Sequence, residues 1–299
     1  MTEPAPHSRI AALEARAKRL AERGEEERKR HASVDAVYEM VDRDAEVGGG
    51  IIAGALAYRL FLWLLPAALV AVAGLGIASD AASDSPEQAA RSVGLAGLVS
   101  SSVSSAAKGQ ARWYALIVGI PILIYVTRSV LRVMIGLHRL VWADVRARAP
   151  KPKLGVVCLL LLAFLLLLAC SGVASAVRAH SPEWGVLSTI VVMVPYAAIW
   201  LFVMHRLPHR DATWLELVPG AVLFGVGLEL LHVVGAYVIG PYAVAKQGTY
   251  GALGAAAVLL FGLFLISRLV VGAAIVNATL WERRTRSAPT GSAAPTSND

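Results

Sequence analysis

From Leu154 to Val177 the chain runs without a single charged residue. As a helix that stretch climbs about 36 Å at 1.5 Å per residue, enough to cross the roughly 30 Å hydrocarbon core of a bilayer. Five further apolar runs have similar reach: Gly49 to Ile77, Trp113 to Ile135, Trp184 to Met204, Glu216 to Ile239, and Tyr250 to about Asn277. Of the 299 residues, 57% are hydrophobic and the mean hydropathy is +0.61, which excludes a soluble domain of this size. The runs are continuous rather than alternating, which excludes a β-barrel. The expectation is an all-α polytopic membrane protein, a six-transmembrane-helix bundle with a cytoplasmic N-terminal helical arm.

Three units follow: an arm over 1–46, a membrane domain over 47–282 and a disordered cytoplasmic tail over 283–299. Within the membrane domain, residues 79–112 form an extracytoplasmic helical segment, opened by the capping-box pattern Ser85-Pro86-Glu87-Gln88. The first 46 residues have no apolar core of the signal-peptide kind, so the first span is expected to direct insertion. In the arm, Val34, Val37, Tyr38 and Val41 keep the i, i+3, i+4, i+7 spacing of one helix stripe. A helix with that stripe is expected to lie along the inner leaflet. A short partner-binding coiled coil is the other reading of the arm.

Charge sets the orientation. Most of the 28 Lys/Arg fall on one side of the spans, the side of the arm, the link after the second span and the C-terminus. The positive-inside rule makes that side cytoplasmic, with both termini there. It also accounts for the net charge of +7 without nucleic acid as a partner. Arg139, Arg146, Arg148, Lys151 and Lys153 are then placed for anionic inner-leaflet head groups of the membrane lipids. Trp142, Trp214 and Trp281 mark the inner interface, and Trp113, Trp184, Tyr242 and Tyr250 the outer one. Arg128 and Arg132, at the end of the second span, are expected to snorkel to the surface.

Three ionisable residues interrupt the spans: Arg59, Glu229 and Arg268. A charge at the middle of a span costs at least about 2.5 kcal/mol on insertion scales, so each needs a use or a partner. Helical rise counted from Gly48, Trp214 and Trp281 puts them about 16, 22 and 20 Å deep, a common level near the midplane. His232 lies one turn from Glu229 on the same face. Together they form a candidate substrate-binding cluster with net positive charge, suited to a phosphate or carboxylate because of the planar guanidinium fork. The structural alternative is an Arg–Glu pair that only fixes helix register, with His232 a hydrogen-bonded packing residue.

Other motifs carry less. Cys158 and Cys170 are twelve residues apart in one helix, about 18 Å and beyond disulfide reach. Pro66, Pro121, Pro195 and Pro219 fall in or at the edge of spans, and the last two spans are rich in glycine; close packing explains them, and broken helices lining a path are the sharper reading. His205 and His209 sit in a basic link that suits lipid head groups. With no nucleophile elbow, phosphate loop or zinc spacing, the chain is expected to be no enzyme and to hold neither cofactor nor metal.

Two stretches carry a family resemblance: Gly54-Ala-Leu-Ala-Tyr58-Arg-Leu-Phe-Leu-Trp-Leu-Leu-Pro66, and Tyr250-Gly-Ala-Leu-Gly254 with the span ending at Gly272-Ala-Ala-Ile-Val-Asn277. With six spans and a charged arm, residues 35–282 resemble the YihY/virulence factor BrkB family of bacterial inner-membrane proteins. The resemblance implies a multi-pass plasma-membrane protein with a six-helix bundle, and no settled activity. Members often carry an acidic residue before the Asn that ends the sixth span; this chain lacks it.

The functional expectation is a transporter or handler of an anionic solute, a lipid being one option, through the Arg59, Glu229, Arg268 and His232 cluster. From another class comes a non-catalytic scaffold or envelope-integrity protein that recruits partners through its arm. Substrate identity, direction, driving force and oligomeric state, whether homo-oligomer or complex with a partner protein, are not encoded legibly.

Overall fold

The structure is a computed structural model that describes residues 25–82, 110–143, 153–180, 185–235 and 240–287, with isolated positions between Ala15 and Glu22. In chain order the helices are α1 (Ala32–Glu46), α2 (Gly49–Ala82), α3 (Gln110–Val141), α4 (Leu154–His180), α5 (Gly185–Arg206), α6 (Trp214–Val234) and α7 (Gly240–Ser287). No strand occurs among the described residues. Among the described residues, five stretches are long and apolar enough to cross a membrane: Gly49–Ala71, Arg112–Val141, Leu154–Ser171, Trp214–Val234 and Ala256–Ser287. The 22-residue α5 stands where the fourth span is expected.

Each of these helices packs on the next, and α7 returns to α2, so that α2 to α7 close around a common centre. Their outer faces stay apolar and uncovered, as at Ile51, Leu65, Tyr125 and Leu215. A chain in water would bury such side chains; a lipid-exposed surface keeps them outside. The inner faces form one core from Leu56 on α2 to Ala274 on α7.

Small residues set the closest approaches. A Cβ on Gly220 would collide with the carbonyl oxygen of Ala273 and lie 2.6 Å from the Asn277 amide. Asn277 occupies that contact: its Oδ1 accepts from the Gly220 N–H at 2.6 Å, and its Nδ2 donates to the Leu217 carbonyl at 3.0 Å. The side chain is fully buried and ties α7 to the first turns of α6. Gly225 does the same against α5, where a Cβ would stand 3.0 Å from Ala197 N and Met193 O. Close packing, the plainer reading of these glycines, is what the structure uses.

Several boundaries differ from the sequence expectation. The last helix begins at Gly240 rather than Tyr250, because Pro241 suits a first helical turn and nothing polar in Lys246-Gln-Gly-Thr249 stops it. It also continues to Ser287, so Arg283 to Ser287 are helical rather than part of a tail. α3 extends to Val141, which places Arg128 and Arg132 well inside the helix instead of near its end. Most of the expected 79–112 segment, the basic stretch Arg146 to Lys153 apart from Lys153 itself, and the tail beyond Ser287 lie outside the described residues.

At one end of the bundle, called here the arm end, α1 packs on the last turns of α7. A turn at Val47–Gly48, with Gly48 at φ +65, leads from α1 into α2. That left-handed conformation is one that glycine takes at no steric cost.

Candidate functional site

Residues from all six helices α2 to α7 wall a cavity of about 520 Å³, within the usual range for a small-molecule site. Leu60, Met134, Phe164, Trp200, Phe224 and Leu263 represent one lining side chain from each helix. The lining is hydrocarbon and aromatic ring almost throughout. Phe224 stacks on Trp200 with ring centroids 4.0 Å apart, and Phe164 meets Trp63 edge to face at 5.3 Å.

Few polar groups reach this wall. Ser171 Oγ and His232 Nδ1 are 3.2 Å apart, bridging α4 and α6. The Trp63 indole N–H is used within the fold, donating to Thr127 Oγ1 at 2.9 Å, while that hydroxyl donates to the Leu123 carbonyl at 2.7 Å. Trp200 differs: it is 1% exposed, and its indole N–H has no acceptor among the described residues. A buried donor in that condition costs about 1–3 kcal/mol. The cavity it borders is where an acceptor would come from.

Of the four residues proposed from sequence, His232 alone lines the cavity. Glu229 is fully buried on the same helix. Arg59 turns to α3, where Nη1 donates to Ser129 Oγ. Arg268 turns to α1 instead, and forks onto Asp44 with bonds of 2.9 and 3.0 Å. The two arginines therefore do not meet, and the Arg–Glu–Arg cluster does not form among the described residues. The depth count fails for a definite reason. Arg268 lies thirteen residues before Trp281, yet its Nη1 stands 3.1 Å from where a Gly49 Cβ would be. Gly48 and Trp281 are thus not on one level, and depths counted from each share no origin.

A second polar assembly, unforeseen as a site, joins α1 to α7. Arg43 forks onto Glu282 at 2.6 and 3.1 Å and also donates to the Val141 carbonyl at 3.1 Å. Arg283 bonds Asp35 at 2.6 Å and Glu39 at 2.9 Å, and Arg286 bonds Glu39. The hydrogen bond from Arg28, then that from Arg283, holds the Asp35 carboxyl below its ordinary 3.8. These pairs are structural, holding Asp35, Glu39 and Arg43 of α1 within the chain.

The comparisons bear on the whole of this arrangement. The family model described as Virulence factor BrkB matches residues 43–297, most of the chain. The chain belongs to the BrkB virulence factor family. That membership and the apolar helices make it an integral, multi-pass membrane protein. No curated protein and no solved structure matches. The BrkB match takes in Arg43 and the end of α7, so the Arg43–Glu282 pair falls inside it, whereas Asp35 and Glu39 precede it. Ser171 and Trp200, by contrast, gave no signal in the sequence, since each is an ordinary residue of an apolar run.

Proposed function

We propose that this BrkB-family protein is a non-catalytic handler of a lipidic solute, taking the hydrocarbon part of its ligand into the cavity between α2 and α7. Six helices cross the bacterial plasma membrane in this reading, with α1 and both termini on the cytoplasmic side. The observation that carries it is the cavity itself: about 520 Å³, bounded by apolar and aromatic side chains, inside a bundle whose outer surface is also apolar. A hydrated anion gains nothing from such walls, since few donors replace its water. An acyl chain or isoprenoid loses nothing there. The Trp200 N–H and the Ser171–His232 pair supply the small number of oriented polar groups that a site of this kind uses to fix its ligand. An anionic head group fits the reading only if it stays outside the apolar walls.

Gly262 offers the test. It lines the cavity, and a Cβ placed on it meets nothing within 4 Å. A Gly262→Phe substitution therefore fills space with little strain, and replacing a mid-helix glycine favours the helix. In nanodiscs, a diazirine-bearing lipid should photolabel cavity residues of the unmodified protein. Labelling should be lost in the Gly262→Phe variant while its unfolding temperature holds. Equal labelling of both forms, or labelling confined to the outer faces, overturns the proposal.

A further inference from the structure

The cavity does not account for the exposed side of α1. Val37 is 58% exposed and Val41 61%, with Tyr38 half-exposed beside them and Arg28 over its ring at 5.5 Å. At 100° per residue, Val37, Tyr38 and Val41 share one face with Val34. Asp35, Glu39 and Arg43 share another, nearly opposite, and all three are bonded to α7. The helix thus turns Asp35, Glu39 and Arg43 inward and Val37 and Val41 outward, the reverse of a surface helix in water.

Two observations say what covers the valines. First, the chain leads from the stripe directly into the lipid-facing wall: after Val47 and Gly48 it enters α2, whose Ile51 is 81% exposed. Second, Arg43 ties α1 to the level of a tryptophan pair. Arg43 bonds Val141 and Glu282, the neighbours in sequence of Trp142 and Trp281, and those two rings pack at 5.8 Å. Tryptophan concentrates at the membrane–water boundary, and an amphipathic helix at that level buries its apolar face among headgroups and acyl ends.

We infer that α1 is a membrane-surface helix, seated in the headgroup region of the leaflet at the arm end, with Val37, Tyr38 and Val41 against lipid and Asp35, Glu39 and Arg43 against α7. It is an interaction surface for the bilayer rather than for a protein partner, and its charged face holds the end of the long α7 in place.

The test is spin-label accessibility on the full chain in phosphatidylethanolamine–phosphatidylglycerol nanodiscs, with Cys158 and Cys170 replaced by Ala. Labels enter singly at Val37→Cys, Val41→Cys and, as a control, Asp42→Cys, whose side chain is 61% exposed. Labels at 37 and 41 should collide several-fold more with oxygen, relative to a water-soluble nickel chelate, than the label at 42. A ratio equal to that at 42 means a solvated face, and low collision with both reagents means a protein-covered one; either result overturns the inference. Because a label can disturb α1, the unmodified chain provides a second measurement. A lipid bearing a photoreactive group near its head should mark the tryptic peptide from His31 to Arg43, and no mark there overturns the inference equally.

Discussion

Arg43 and Glu282 are 239 residues apart in sequence and form a two-bond ion pair, 2.6 and 3.1 Å, between the last turn of α1 and the last turns of α7. Both side chains are mostly buried, 14% and 21% exposed. Removing one partner leaves the other charge without its fork.

Arg43→Ala should therefore cost about 1–3 kcal/mol, the range for a hydrogen-bonded charge losing its partner. Glu282→Ala should cost a similar amount. The two losses should not add, since either one removes the shared fork, while Arg43→Ala also removes the bond to the Val141 carbonyl. A double-mutant cycle of unfolding temperatures in nanodiscs checks this, and full additivity would separate the two residues energetically.

The long-range pair also shows where the sequence is legible. Length and apolar continuity of each run locate five stretches able to cross a membrane, four of them starting within two residues of expectation although all end at least five residues away, because bilayer thickness is an external ruler that acts on each helix alone. The α1 stripe is legible for the same reason. What a run cannot carry is its level relative to another run. Arg268 meeting Asp44, and the cavity formed where six helices converge, depend on relative shifts and tilts that no single periodicity contains. His232, chosen by its spacing from Glu229, reached the cavity, while Arg59, chosen by depth, did not.

Gly220 and Gly54 should respond oppositely to alanine. At Gly220 a Cβ meets the Ala273 carbonyl and the Asn277 amide, both fixed by their own helix and hydrogen bonds. Gly220→Ala should lower stability by about 1–3 kcal/mol, the cost of overpacking. Around Gly54 nothing lies within 4 Å, so Gly54→Ala should be neutral or stabilise by about 0.5–1 kcal/mol. Thermal unfolding of the two variants side by side decides it.

Acid should loosen α1. Hydrogen bonds from Arg28 and Arg283 hold the Asp35 carboxyl below its ordinary 3.8. A carboxyl lowered by folding contributes stability that is complete above the unfolded value and disappears as pH falls through the folded one. Protection of the α1 amides, taken relative to intrinsic exchange at each pH, should therefore be flat from neutral pH down to about 4 and fall below it. In Asp35→Asn protection should be lower at neutral pH, with a weaker further fall in acid. An acid loss unchanged in that variant would assign it to another carboxyl.

Arg59 separates the two accounts of function. Its guanidinium is half-buried in α2 and bonded to the neutral hydroxyl of Ser129. If that contact is structural, Ser129→Ala should cost about 1–3 kcal/mol by stranding a charged donor. Arg59→Met, by contrast, should leave stability unchanged or raised, because an apolar side chain of similar length replaces a charge within a span. The two readings part on lipid photolabelling. A midplane anion site built on Arg59 requires labelling to vanish in Arg59→Met while the protein still inserts. The cavity requires labelling to persist, since Arg59 is not among its walls and Leu56, Leu60 and Trp63 remain in place. Persistence in Arg59→Met, together with loss in Gly262→Phe, is the outcome expected here.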